Sequence, residues 1–284
     1  MKHLLQIILL MTILFGSMLL LGSCNSGKNI GLQLYSVRDA MKEDPIATVE
    51  QVGEMGYSFV EAANYDDGLF YGMAPQEFSE LLKKNGLGFI SSHTGRPVPD
   101  QDTWEETMAW WDKCISAHKE AGVKYIVQPS MQKTAYESKE GLLAYCKYFE
   151  AVGEKCNAKG IRFGYHNHAR EFTTEYDGEV LYDIMLENMD PDKVFMQIDL
   201  YWIMKGGKDA VAYFDKYPGR FDLWHVKDEE VIGASGTMDF ETLFANNKKS
   251  GMKYYIVEVE RYETTPVEDV KKSFEFLMNA EYVK

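Results

Sequence analysis

Eight short apolar runs recur along this chain, each followed by an amphipathic helical stretch, and that rhythm limits the fold more than any other feature. The runs begin near Ile30, Ser58, Leu87, Lys124, Ile161, Val194, Phe221 and Tyr254. The helical patterns after them cover Ile46–Met55, Pro75–Asn85, Thr103–Ala121, Gly141–Lys159, Glu179–Met189, Asp209–Tyr217, Phe240–Lys249 and Val267–Asn279. Several helices stop just before a glycine that leads into the next run, as in EMGYSFVE, KNGLGFI, EAGVKYIV and AKGIRFGY. Glycine is the usual residue there because it accepts the left-handed backbone that ends a helix. Strands alternating with helices call for an α/β fold with parallel pairing. Eight such units over residues 29–284 match a single (β/α)8 TIM barrel in number and in size, roughly 250 residues. An open doubly wound sheet is the alternative, but it rarely uses eight such even units. No linker, low-complexity tract or second domain interrupts the series.

The first residues stand outside this pattern. Lys2 and His3 precede an apolar run from Leu4 to Leu21, and Leu21-Gly22-Ser23-Cys24 follows. A basic start, an apolar middle and small residues before a cut describe a secretory signal. With the cysteine placed right after them, residues 1–23 resemble a bacterial lipoprotein signal peptide. Cys24 would then be lipidated and residues 24–28 would be a tether. An uncleaved transmembrane anchor is the alternative, since the run is nearly long enough to span a bilayer. Either way the barrel is expected outside the cytoplasm, tethered to a membrane through that anchor. The tether NSGKN lacks an acidic cluster, which favours a periplasmic address. Cys146 and Cys156 fall on one helix, about 15 Å apart by helical rise, too far to bridge, so buried thiols are expected.

A barrel of this kind carries its active site at the C-terminal ends of its strands. Side chains alternate along a strand with period two. In FGYHNHAREF, the fifth strand, Gly164, His166 and His168 share one face; in MQIDLYW, Gln197 and Asp199 do. LWHVKD pairs His225 with Lys227, and YIVEVER pairs Glu258 with Glu260. On the first four strands Gln33, Tyr35, Glu61, His93 and Gln128 occupy the corresponding places. Every strand is thus expected to offer a polar group to the barrel mouth. Polar groups converging in this way are expensive to bury without a ligand, an ion or water.

His166, Asp199, His225 and Glu258 come from four consecutive strands. Two imidazoles and two carboxylates at one mouth make a candidate site for one divalent metal ion, Mn²⁺ foremost, with Co²⁺, Fe²⁺ or Zn²⁺ suiting the same mixed N/O ligands better than Ca²⁺ or Mg²⁺. The alternative is that the histidines bind substrate by hydrogen bonds and the acids are satisfied within the core.

Taken in order, GLQLYSVRD, YHNH with EF behind it, IDLYW, HVKD and YYIVEVE resemble the sugar phosphate isomerase/epimerase superfamily, whose members have a xylose isomerase-like TIM barrel. The likeness covers nearly the whole chain after the tether. It implies one divalent metal held by a carboxylate on strand five, an aspartate on strand six, a histidine on strand seven and a glutamate on strand eight. Those places are His166, Asp199, His225 and Glu258. The first departs from the pattern, because many members read Glu-Asn-His where this chain has His166-Asn167-His168.

The departure bears on the reaction. Epimerases of the family shuttle a proton beside a carbonyl between two metal-bound glutamates, and this chain keeps only Glu258. Glu258, Glu260 or His168 remains to take the proton, and Lys227 to stabilise the enediolate or protonate a leaving group. Histidine on strand five also resembles the dehydratase branch and lyases that act on 3-keto-glycosides. Proton abstraction next to a ketone followed by elimination is therefore the expectation, with true isomerisation or epimerisation as the alternative.

The chain has 44 acids against 30 bases, a net charge of −14, which argues against nucleic acid as a partner. It has no P-loop. Of the glycine-bearing loop VIGASGTMDF, a lid ending in an Asp239 helix cap is a simpler reading than a phosphate cradle. An unphosphorylated sugar or a glycoside is the expected small-molecule substrate. Gln33, Tyr35, Glu61, His93, Gln128 and Trp202, the last as a stacking platform, are the expected substrate contacts. A non-catalytic periplasmic sugar-binding lipoprotein is the reading from another class; binders of that kind usually have two lobes, which this rhythm does not provide.

Overall fold

The computed structural model describes residues 27–284, so the signal segment and Cys24 lie outside the described residues. Eight parallel strands close into a barrel: β1 Ile30–Gln33, β2 Phe59–Ala62, β3 Gly88–His93, β4 Tyr125–Gln128, β5 Arg162–His166, β6 Val194–Asp199, β7 Leu223–Val226 and β8 Tyr254–Val257. Each pairs with its neighbours in sequence, and β1 pairs with β8 to close the ring. The expected helices form the outer layer: α1 Pro45–Met55, α2 Pro75–Lys84, α3 Trp104–Glu120, α4 Lys139–Asn157, α5 Leu181–Asn188, α6 Ala210–Lys216, α7 Phe240–Ala245 and α8 Pro266–Asn279. Among the described residues, no helix is long and apolar enough to cross a membrane.

Local chemistry sets the helix ends. Asp44 accepts from the N–H groups of Ile46 and Ala47, Pro45 takes the first helical position, and Gly56 at φ +99° ends α1, the arrangement that leaves fewest unpaired backbone groups. Asp239 caps α7 through Thr242 N. On α4 the buried positions Leu142, Tyr145, Phe149, Val152 and Cys156 repeat at helical spacing and meet the outward face of the strands, where the Phe149 and Tyr165 rings stack at 5.5 Å. Truncating a buried aromatic of this kind costs about 3–5 kcal/mol. Cys114, Cys146 and Cys156 are buried free thiols.

The interior is plugged and then turns polar. Phe59, Tyr125, Val127, Phe195, Leu223 and Ile256 pack together across the axis. Their bulk fits because strands elsewhere bring no side chain: a Cβ on Gly31 would sit 2.2 Å from the Phe59 ring, and one on Gly164 would sit 2.6 Å from Phe195. The plug seals the barrel below its mouth, so polar side chains one layer higher face a closed floor.

Two strands depart from simple alternation. The pairing of β2 with β3 skips Ile90 between Val60 and Glu61. This extra residue reverses the alternation: Ile90 packs against the axial plug, yet His93 still reaches the mouth. On β4, Tyr125 and Val127 face the axis. Gln128, expected at the mouth, turns the other way, and its Nε2 donates to the Arg96 and Ser130 carbonyls.

Candidate active site

The mouth is built around Glu61, whose carboxylate has no exposed surface. Oε1 accepts from Gln33 Nε2 at 2.7 Å and from His225 Nε2 at 2.6 Å, with His93 Nε2 at 3.0 Å. Oε2 accepts from Gln197 Nε2 at 2.8 Å and from the Ser91 hydroxyl. Burial alone would raise the Glu61 pKa, but the His93 and His225 imidazoles overcome it and hold the carboxyl well below its usual range. Gln33 is equally buried and also accepts from Tyr35 N at 3.0 Å. Glu61 and Gln33, expected as substrate contacts, thus form the support beneath the site.

Above them stands the quartet. His166, Asp199, His225 and Glu258 each offer a ligand atom, all within 4.8 Å of one another. His93, His166 and His225 satisfy the same criterion as a trio. His225 turns Nδ1 toward Glu258 Oε2 at 3.2 Å while Glu61 holds its Nε2. A carboxylate behind a histidine fixes which ring nitrogen is free to bind a metal. His166 Nδ1 lies 3.1 Å from Gln197 Oε1; a carbonyl oxygen only accepts, so Nδ1 carries the proton and Nε2 keeps its lone pair. Burial, then the neighbouring imidazoles, push His166 well below its ordinary pKa, so the ring is neutral as a metal ligand must be.

Asp199 divides its two oxygens. Oδ1 accepts from Trp202 N at 2.8 Å and caps the short helix Leu200–Lys205. Oδ2 is buried and has no partner among the described residues. Burial raises the carboxyl to about 7, partly offset by the Lys227 ammonium. A buried carboxylate oxygen without a donor is costly, a cost that a bound cation would relieve. With two imidazoles and Glu258 around it, the donor set fits a divalent cation of the Mn²⁺ to Zn²⁺ series.

The cations complete the field. Burial opposes charge on His225, but Glu258 and Glu61 more than offset it and raise its pKa to about 10. Burial likewise opposes the Lys227 ammonium, yet Glu258, Asp199 and Glu260 hold it charged, with its pKa raised. Lys227 Nζ lies 3.1 Å from Glu258 Oε2 and 2.5 Å from Glu260 Oε2. It also sits over the Trp202 ring at 5.0 Å, and the His168 ring centroid lies 5.9 Å from that ring.

A cavity of about 300 Å³ opens above the quartet, lined by Tyr35, His93, His166, His168, Glu258 and Glu260 among others. The expected residues Gln128 and Trp202 are not part of its lining. Three supporting residues escaped the sequence analysis as site members. Asn167 Oδ1 accepts from Asp199 N at 3.1 Å, and Gln197 bridges Glu61 to His93 and His166. Buried Glu171 accepts from His168 N at 3.0 Å and from the Tyr136 and Tyr165 hydroxyls. The alternating pattern did place Gln197 beside Asp199; nothing in one strand shows that its amide reaches across the barrel.

A closed parallel barrel with a polar, metal-competent mouth above an apolar plug defines the class. The family model of the xylose isomerase-like TIM barrel matches residues 49–280, and the chain belongs to that family. A sugar phosphate isomerase/epimerase from Parabacteroides distasonis is 33% identical, superposes with a TM-score of 0.84, and the match covers 91% of this chain and all of that one. A second protein so described from the same organism is 30% identical over 92% of this chain and 97% of its own, with a TM-score of 0.84. The 3-keto-D-glucoside 4-epimerase of E. coli shares the fold at a TM-score of 0.67 and 17% identity, covering 89% of this chain and 100% of its own. No curated protein sequence matches the chain.

Proposed function

We propose that this barrel is a metal-dependent enzyme that removes the proton next to a ketone of an unphosphorylated sugar or keto-glycoside, and that it favours elimination of the neighbouring substituent over epimerisation. The observation that carries this reading is the lining of the inner cavity: Glu258 and Glu260 stand at the end of β8, whereas His166 and His168 stand at the end of β5. A divalent cation held by His166, Asp199, His225 and Glu258, Mn²⁺ foremost, supplies Lewis-acid polarisation of the carbonyl. The Lys227 ammonium, kept charged by its carboxylate partners, stabilises negative charge as it develops on the substrate oxygen. A proton held so firmly makes Lys227 a poor donor to a leaving group. His168 is neutral because burial lowers its pKa, and it lines the cavity; it takes the carbon-bound proton and returns it to the departing oxygen. One base suffices for that sequence, whereas inversion needs groups on both faces of the carbon.

True epimerisation is the second reading, favoured by one feature: Glu258 and Glu260 line the same cavity as His168, which gives that cavity more than one base. Incubation of the Mn²⁺-treated protein in deuterated water with 3-keto-glycosides and with free ketoses separates them. An unsaturated keto-sugar or its hydrated product from the glycoside is expected. Return of the free ketose with inverted stereochemistry and deuterium at that carbon would overturn the elimination reading, and no metal-dependent exchange in any substrate would overturn both and favour a binder.

The periplasmic lipoprotein address is part of the proposal. Lys28, near the start of the described chain, donates from Nζ to the carbonyls of Leu277, Met278 and Ala280 at the end of α8. The described chain thus begins at the barrel end opposite the mouth. Membrane fractionation of Cys24→Ala tests the address: release or an unprocessed precursor is expected, and a mature membrane-bound form refutes it.

A further inference from the structure

Next to the inner cavity lies a second one of about 420 Å³, lined by Tyr35, Arg38, Lys42, Asn64 and Tyr71 among others. The two share Tyr35 and Ala63 in their walls, so they adjoin across the ends of β1 and β2. The reaction chemistry above uses only the inner one. We infer that the outer one is a subsite for the second, non-reacting sugar ring of a glycoside.

Tyr35 marks the junction. It is one of three exposed large hydrophobic residues among the described residues, at 43% exposure, yet it is held firmly in place. Its N–H donates to Gln33 Oε1, and the Arg38 guanidinium lies 4.6 Å from its ring centroid. Arg38 Nη1 in turn donates to the Tyr262 hydroxyl at 2.6 Å and to the Tyr35 carbonyl at 3.1 Å. Because Gln33 also donates to Glu61, the Tyr35 backbone is tied through one side chain to the carboxylate that orients His225. A fixed, half-exposed aromatic ring suits the apolar face of a sugar, at little entropic cost to the protein.

The far wall supplies an independent observation. Tyr71 has a left-handed backbone at φ +50°, a conformation that costs a non-glycine residue roughly 1–2 kcal/mol and that persists where surroundings demand it. Its buried phenol oxygen accepts from Ala63 N at 2.9 Å, fixing the residue at which the two cavities meet. The outer lining includes the donors Arg38, Lys42 and Asn64 and no carboxylate, whereas the inner lining includes Glu258 and Glu260. Aromatic walls with several donors match a ring rich in acceptor oxygens. The inner cavity alone is at the small end of ligand sites, which leaves a second ring to be held by its neighbour.

The inference rests on the proposed function only in assigning the reacting sugar to the inner cavity. Calorimetry on the full chain with Mn²⁺ would compare D-glucose with maltose, cellobiose and trehalose. At least one disaccharide should bind about tenfold tighter than glucose, a difference of ~1.4 kcal/mol. Asn64→Trp, which fills the outer cavity, should reduce that ratio to about twofold or less; Tyr35→Ala should do the same by removing the platform, and circular dichroism and metal content verify folding. If no disaccharide binds tighter than glucose, or if the preference survives both substitutions, the subsite is refuted. A preference that vanishes as expected in a protein without deuterium exchange supports the subsite and refutes the reaction; exchange without any preference does the reverse.

Discussion

Replacing Glu61 with glutamine removes one charge and no volume, and the structure makes its cost calculable. Both carboxylate oxygens face only donors: Gln33, His225 and His93 at Oε1, Ser91 and Gln197 at Oε2. An amide nitrogen at Oε1 opposes the Gln33 amide and the His225 imidazolium, donor against donor; at Oε2 it opposes the Gln197 amide, while the Ser91 hydroxyl can turn to accept. Each hydrogen bond lost in such a buried place costs about 1–3 kcal/mol, and breaking a buried ion pair by removing one partner costs about 3–5 kcal/mol. These figures overlap because they count the same contacts. Urea unfolding of metal-free Glu61→Gln should therefore show a loss of about 3 kcal/mol. The second effect falls on the metal. With at most a neutral amide oxygen at Nε2, His225 keeps a weaker hold on the orientation that turns Nδ1 toward Glu258, and support of this kind is worth about 10–100-fold in metal affinity. Competition against a chelating dye measures it. Should the variant keep wild-type stability and bind Mn²⁺ equally well, Glu61 does not organise this site.

The remaining expectations concern the quartet, strand five and one histidine far from both. The double variant Asp199→Ala, His225→Ala should lose stoichiometric divalent metal by elemental analysis, whereas Val257→Ala, whose side chain packs outside the barrel, should keep it; full metal in the double variant would refute the site. His166→Glu should raise any epimerase activity and depress elimination, as followed by product NMR; the opposite shift would count against the proposed division of labour. His118 is buried against Tyr65 and Phe70, and burial lowers its pKa to about 4 from an ordinary 6.5. The unfolded chain takes up that proton first, so stability is intact above pH 6.5 and falls by about 3 kcal/mol as pH drops toward 4. His118→Phe should flatten that part of a urea-unfolding series; an unchanged slope would refute it.

The eight strands and their helices were legible because both periods persist through the chain, and α1 to α4 run into the left-handed glycines Gly56, Gly86, Gly122 and Gly160 that stop them. The quartet was legible for the same reason: the residues stand at equivalent places on β5 to β8, and alternation suffices to turn them inward. Alternation misled where it is broken or inverted. Gln128 follows an inward Val127, and no strand-local signal distinguishes that register from its opposite. His93 reaches the mouth only because the bulge at Ile90 reverses the face. Glu61 was legible as inward but not as support, since its role depends on donors from β1, β3, β6 and β7 that meet only after the ring closes. The short helix Leu200–Lys205 escaped notice because its cap is Asp199 itself, a residue already assigned to the site.

The charge of that mouth follows a simple constraint. Glu61 and Glu258 are held ionised, His225 and Lys227 are held cationic, and Asp199 titrates near neutrality. Two negative and two positive charges are thereby buried in near balance, and a fifth ionisable group shares a proton with solvent. A buried array of this kind tolerates little net charge. A divalent cation that replaces the His225 proton facing Glu258 and the Asp199 proton adds two charges and removes two. The exchange would leave the total unchanged, so the proposed metal could take the place of two protons without a new charge in the barrel. A second carboxylate at position 166 would add a negative charge to that balance. Neutral His166 would add a ligand to the proposed site without charge, and Lys227 stays cationic between Glu258 and Glu260.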